Sequence, residues 1–233
     1  MFKAVFLDWF NTLARYEPPQ HEVHQQAFRQ VGIDISPQDI LRGVAVANKY
    51  LYEENFRLSL GKRDPRQRFE VYMRYEDIIL SEAGVKVSGE TLTRIMKKAE
   101  ELFKGARFVL FDDVFLALKT LKKQNLILGL LTNLTKGVDS TLQKLGLESY
   151  LDFVVNPQEV GVDKPDPRFF LAALECAGVS ASEAVHVGDQ YEVDVVGARG
   201  VGISPILIDR YSLYPEVSDC PRISSLTEVV RYL

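Results

Sequence analysis

The stretch VFLDWFNTL (residues 5–13) runs apolar through Leu7, places one carboxylate at Asp8, and turns polar at Asn11 and Thr12. A strand covered on both faces reads as a continuous apolar run. Asp8 therefore falls where a buried strand stops, and open parallel sheets bind their ligands at that end of the strands. Comparable runs, each bounded by polar or turn residues, recur at 126–131, 153–155, 185–187 and 205–208. Between them lie helical patterns with start and stop signals. Thr135 can cap a helix carrying Val138, Leu142 and Leu145 that stops at Gly146, and Asp166-Pro167 opens another that ends at Gly178. Strand and helix alternate from about residue 107 onward, which predicts an α/β fold with a doubly wound parallel sheet and right-handed crossovers.

The first strand is separated from the rest by a long segment of different character. Ser36-Pro37 with Asp39 forms a capped helix start, followed by Ile40, Val44, Ala47 and Leu51 at helical spacing. Further stripes run through Phe69, Tyr72, Tyr75 and Ile79, then through Leu92, Ile95, Ala99 and Leu102, closed by Gly105. The expected organisation is a core of residues 1–13 and 107–233, with a helical insert of residues 14–106 after the first strand. Such an insert is expected over the ligand-binding edge of the sheet, where it acts as a lid.

At 233 residues and 46% hydrophobic, the chain has enough apolar surface for such a domain without covalent staples. Cys176 and Cys220 are the only cysteines and have neither metal-ligand nor redox-pair spacing, so a reducing, cytoplasmic compartment is expected. No apolar run approaches the roughly 20 residues of a membrane span, and no export signal is read. Net charge is −4, and the doublets Lys97-Lys98 and Lys122-Lys123 lie on solvated helical faces. Neither nucleic acid nor membrane is an expected partner, and oligomeric state has no sequence signal.

Four stretches fall at predicted strand ends: Asp8 with Thr12, Thr132-Asn133, Asp163-Lys164-Pro165, and Gly188-Asp189 with Asp194. In a parallel sheet they share one crevice. A carboxylate there can attack phosphorus or carbon and form a covalent intermediate, which makes Asp8 the candidate nucleophile, although a lone aspartate at a strand end also suits a turn or cap. Thr132 and Asn133 offer a hydroxyl and an amide to an oxyanion, and Lys164 a fixed positive charge. Asp189 adds a second acid, and two acids at close range call for a cation between them. A hard divalent ion such as Mg²⁺ prefers this oxygen-rich setting.

These motifs, in this order, resemble those of the haloacid dehalogenase (HAD) superfamily of hydrolases, and the insert sits where that family carries its helical type-1 cap. The resemblance implies a HAD-like Rossmannoid core and a metal held by Asp8, Asp189 and the backbone carbonyl of Phe10. It also implies that Asp194 orients Lys164 or a water on the metal. Phosphatases of this superfamily usually carry a second aspartate two residues after the nucleophile, as general acid and base. This chain has Phe10 there. Dehalogenating members also place an aromatic residue at that position, but they typically have serine where this chain has Asp189. The resemblance thus favours a magnesium-dependent hydrolase of a small phosphate ester that suits good leaving groups. The alternatives are a metal-independent 2-haloacid dehalogenase and a phosphate-binding member without turnover.

Glu17 or Glu22 could supply the missing acid. Arg15 and Tyr16 suit either a pocket mouth or a hinge, and Tyr50, Tyr52, Phe56, Tyr72 and Tyr75 either packing or a cavity lining. His21 and His24 are expected on a polar helix face, and His186 as a hydrogen-bonded core histidine. Gly197, Gly200 and Gly202 read as a helix end and a tight turn.

Overall fold

The protein is described by a computed structural model that covers residues 1–134 and 137–233. In chain order it comprises strands β1 (Ala4–Leu7) and β2 (Ala14–Glu17), helices α1 (Gln20–Arg29), α2 (Pro37–Arg57), α3 (Pro65–Glu82) and α4 (Gly89–Phe103), and strand β3 (Arg107–Leu110). There follow α5 (Val114–Lys123), β4 (Ile127–Leu131), α6 (Val138–Lys144), β5 (Phe153–Val155), α7 (Pro157–Val160), α8 (Pro167–Ala177) and β6 (Ala184–Gly188). A π-helical turn (Tyr191–Val196) continues as α9 (Gly197–Gly200), before β7 (Ser204–Ile208), β8 (Arg222–Ile223) and a final 3₁₀ segment (Leu226–Tyr232). The chain divides into two compact units, residues 1–15 with 109–233 and residues 16–108.

The first unit is a six-stranded parallel sheet in the order β5-β4-β1-β6-β7-β8, surrounded by helices. Because β1 lies between β4 and β6, all four of its residues are fully buried, which is why its sequence is apolar without alternation. Its register sets Leu7 beside Leu130 and Val187. Asp8, Thr132 and Asp189 consequently emerge at one level of one sheet edge, and the chain order of the strands reverses on either side of β1. On the α8 side of the sheet, Phe6, Leu131, Val155, Phe169, Phe170, Ala173 and Ala198 form a continuous core.

Helix ends follow sequence rules. Asp166 accepts a hydrogen bond from the Arg168 N–H at the start of α8, and the helix stops at Gly178 in left-handed conformation (φ +62°). The start of α6 expected at Thr135 lies outside the described residues; the helix itself runs from Val138, and Gly146 just past its end has φ +72°. Gly200 and Gly202 close α9 and the turn after it as expected, whereas Gly197 opens α9. A Cβ on Gly197 would lie 2.8 Å from the Phe170 ring and 2.9 Å from Pro165, so this glycine serves close packing and not a helix stop.

The second unit is helical, with Phe28, Ile40, Val44, Ala47, Tyr75, Ile79, Leu80 and Ile95 at its centre. Ser36 accepts from the Asp39 N–H to cap α2, Asp64 and Gln67 form a capping box on α3, and Ser88 caps α4. Ala14–Glu17, predicted within the helical insert, is instead the strand β2, which forms a two-stranded sheet with β3. Tyr16 stacks on Phe108 at 5.0 Å between centroids. In α3 the buried stripe is Val71, Tyr75, Ile79 and Leu80, while Phe69 and Tyr72 are 38% and 42% exposed. His24 is corrected from a polar-face residue to a core one. It shares its helix face with Ala27 and Phe28, and its Nδ1 meets the buried Glu76 carboxylate at 3.1 Å. A second buried polar pair, Tyr75 Oη donating to Asn48 Oδ1 at 2.8 Å, lies beside it and joins α3 to α2.

Within the sheet Gly129 faces the side chain of Phe153 on the neighbouring strand: a Cβ there would stand 2.3 Å from the ring. That ring packs edge-on against Phe6 at 5.8 Å. Gly129→Ala is expected to lower the urea midpoint by the equivalent of about 1–3 kcal/mol of overpacking, with Phe153→Leu in the same chain recovering most of the loss.

Candidate functional site

Lys164 organises the carboxyl edge of the sheet. It sits in a turn closed by the Asp166 N–H on the Asp163 carbonyl, between the short α7 and the capped start of α8. Its Nζ donates to Asp8 Oδ1 at 2.6 Å and to Asp194 Oδ1 at 2.7 Å, and its side chain is 1% exposed. Asn133 holds that turn from the neighbouring loop. Its Oδ1 accepts from the Lys164 N–H at 2.8 Å and its Nδ2 donates to the Lys164 carbonyl at 3.1 Å. The Asn133 amide, expected to face substrate, is thus engaged at both ends with the backbone that carries the lysine. Thr132, at the end of β4, accepts the Leu134 N–H on Oγ1 at 3.2 Å, which leaves its hydroxyl proton to donate.

Asp194 lies in the π-helical turn after β6. Its Oδ1 also meets His186 Nε2 at 2.9 Å, and its Oδ2 accepts the Gln190 N–H at 3.1 Å. A Cβ on Gly188 would stand 2.2 Å from Asp194 Cγ, so the glycine before Asp189 is the space that the returning carboxylate occupies. His186 is fully buried inside β6, as expected of a core histidine, with its ring edge-on to Phe170. What the sequence reading left out is the bond from that ring to Asp194. The available signal was spacing: residues 186 and 188 are two apart on a strand and share the face on which Asp194 folds back.

Asp8, Asp189 and Asp194 each offer a carboxylate oxygen within 4.8 Å of the other two, and all three are buried. One ammonium stands among them. Burial by itself would lower the Lys164 amine, but Asp194 and Asp8 raise it well above its ordinary value, so it stays charged. Burial pushes the Asp8 carboxyl up, with Lys164 opposing and Asp194 adding to the rise. For Asp194 burial is also the largest influence, yet Lys164 and His186 together overcome it and hold the carboxyl far below its usual range. Asp8 Oδ2 is buried and has no hydrogen-bond partner among the described residues. Three hard oxygen donors, an excess of negative charge and an open carboxylate oxygen fit a divalent ion such as Mg²⁺.

The sheet order and this acid cluster at the strand ends define the class: a doubly wound α/β protein with a candidate site at the switch point of its sheet. A family model described as haloacid dehalogenase-like hydrolase matches residues 2–202, and the chain belongs to that family. It is 28% identical over 205 residues to the mouse haloacid dehalogenase-like hydrolase domain-containing protein 3, covering 85% of this chain and 78% of the relative. It is 36% identical over 153 residues to a phosphoserine phosphatase of Thermus thermophilus, covering 63% of this chain and 60% of that protein. Among solved structures, the Bacillus subtilis HAD-hydrolase YfnB, determined bound to magnesium, superimposes with a TM-score of 0.64 at 20% identity, covering 100% of this chain and 98% of that one.

Removing Lys164 leaves two buried carboxylates facing one another. Lys164→Met, with metal absent, is expected to lose about 3–5 kcal/mol at neutral pH. The folded Asp194 carboxyl lies below its unfolded value of 3.8, so the stability it contributes is present above that value and lost as pH falls through the folded one. The difference between wild type and variant should therefore hold from pH 7 down to about pH 4 and shrink below that, as read from urea midpoints between pH 7 and pH 2.

Proposed function

We propose that this chain hydrolyses small phosphate esters through a covalent intermediate on Asp8. The observation that carries the reading is the buried cluster of Asp8, Asp189 and Asp194 around Lys164. Asp8, Asp189 and the backbone carbonyl of Phe10 would hold Mg²⁺, with Asp194 fixing Lys164. When bound, the ion neutralises charge on the phosphoryl oxygens and aligns them for in-line displacement.

The chain's own groups supply the rest. Lys164 fixes the rotation of the Asp8 carboxylate through Oδ1 and leaves Oδ2 with open lone pairs. That oxygen attacks phosphorus, the ester oxygen leaves with the bonding pair, and an aspartyl phosphate forms. Water then attacks phosphorus, which releases inorganic phosphate and regenerates the carboxylate. The Thr132 hydroxyl and the Lys164 ammonium donate to phosphoryl oxygens as charge builds there.

Position 10 gives the reaction its character. A phenyl ring moves no proton to the leaving oxygen, so alkyl phosphates turn over slowly and acyl or aryl phosphates, whose leaving groups need little protonation, turn over faster. The name phosphoserine phosphatase on one relative supports phosphate-ester chemistry. The aromatic residue at position 10 supports the rival reading, halide displacement from a 2-haloacid, but a cluster of three acids has little use in that reaction.

Phosphate release from aryl and acyl phosphates is expected with magnesium and not with EDTA, and Asp8→Asn should lower kcat by about a thousandfold or more. Halide release from 2-chloropropionate in EDTA would instead establish the dehalogenase reading. Phe10→Asp is expected to raise alkyl-phosphate turnover, up to the about 10²–10⁴-fold that a positioned acid contributes, and to flatten the dependence of rate on leaving-group pKa.

A further inference from the structure

The loop from Trp9 to Ala14 is tightly closed on itself. The Trp9 carbonyl accepts both the Leu13 N–H at 2.9 Å and the Ala14 N–H at 3.0 Å, the Asn11 N–H donates to the Ala14 carbonyl at 2.7 Å, and Asn11 takes the left-handed conformation (φ +58°). Two of its carbonyls are held from outside the loop. The Leu13 carbonyl accepts the Phe111 N–H at 3.1 Å, and the Thr12 carbonyl accepts Nη2 of Arg210 at 2.8 Å.

Arg210 follows β7, remote in sequence from that loop. Its side chain is 8% exposed, and the guanidinium grips Asp113 with both ends, Nη1 to Oδ2 at 2.9 Å and Nη2 to Oδ1 at 3.0 Å. Its Cζ lies 4.0 Å over the Phe111 ring. Asp113 in turn accepts from Ser225 Oγ and from the Leu226 N–H, each at 2.7 Å. Burial would raise the Asp113 carboxyl, but Arg210 and Ser225 hold it below its ordinary range. A planar fork gripping a carboxylate bidentately and stacked on an aromatic face has little freedom, and lysine cannot reproduce it.

We infer that Arg210, braced by Asp113, Phe111 and Ser225, is a positioning residue of the active site that acts through the Thr12 carbonyl to fix the loop carrying Phe10. The residue pinned is two places beyond the carbonyl assigned to the metal and four beyond Asp8. The loop cannot shift at Thr12 without moving the backbone at Phe10, because its own cross-bonds make it one piece. This inference rests on the metal reading of the Phe10 carbonyl, and none of its residues belongs to the acid cluster.

Arg210→Met keeps an unbranched aliphatic stem, removes the guanidinium over Phe111 and leaves Asp113 its bonds to Ser225 and Leu226, so the sheet is expected to fold. Three measurements on the full chain test the role. Hydrogen exchange should quicken in peptides spanning 9–14 and 109–114 and stay unchanged in β4 and β6. The magnesium concentration that gives half of the metal-induced rise in Tm should increase about tenfold, the lower end of what outer partners of a metal site contribute. With an aryl phosphate kcat should fall by a similar factor of about ten while KM stays within about twofold, and Arg210→Lys should lie between variant and wild type. Faster exchange with unaltered magnesium response and kcat would reduce Arg210 to a structural brace and overturn the inference. Unaltered exchange would overturn it as well. Wild-type protein whose Tm ignores magnesium refutes the metal reading itself and overturns the inference with it, an outcome told apart from failure of the Arg210 role because it appears before any substitution is made.

Discussion

A single ammonium shared by two carboxylates is the constraint around which the sheet edge is arranged. Lys164 reaches Asp8 from one side and Asp194 from the other, in a place where water does not screen any of the three. Each unpaired charge there would cost several kcal/mol, so neither carboxylate is stable without the lysine, and the lysine is not stable without them. The rest of the local structure serves this contact. Asn133 fixes the backbone of Lys164, Gly188 yields its side-chain space to Asp194, and His186 and the Gln190 N–H bond the same carboxylate.

The π-helical turn is part of the same arrangement. A π-turn carries an additional residue inside a helix and recurs at functional sites. Here it brings Asp194 back over Gly188 while Asp189 stays at the end of β6, so two acids five residues apart meet at one point. An ordinary α-helical turn advances about 100° per residue and would set this carboxylate at a different angle to Lys164.

Much of the fold was legible because its signals are dense. The central strands are apolar runs with no alternation, the helices of both units carry serine, aspartate and glycine at their ends, and the site residues stand where those runs stop. The sequence was silent where a residue's role depends on a distant partner. His24 looks polar until Glu76 is brought against it, and Arg210 looks like an ordinary arginine after a strand until the fold supplies Asp113 and the Thr12 carbonyl. The strands β2, β3 and β8 were missed for another reason. They are two to four residues long and carry arginine, tyrosine or glutamate, so no pattern of burial distinguishes them from loop. Phe69 and Tyr72 misled in the opposite sense, since aromatic residues at helical spacing suggest a core that α3 builds from Val71 and Leu80 instead.

The place of β1 has a consequence for how the molecule comes into being on the ribosome. Its apolar residues emerge early relative to the strands that flank it, since β4 and β6 are made only after the whole helical unit and more. Pairing across such separations is slow, and an unpaired apolar strand is prone to aggregate in the interval. The intervening helices close through contacts nearer in sequence and can form while synthesis continues. The helical unit can thus close before the sheet it interrupts, and β1 has neither of its neighbours until the far half of the polypeptide is made.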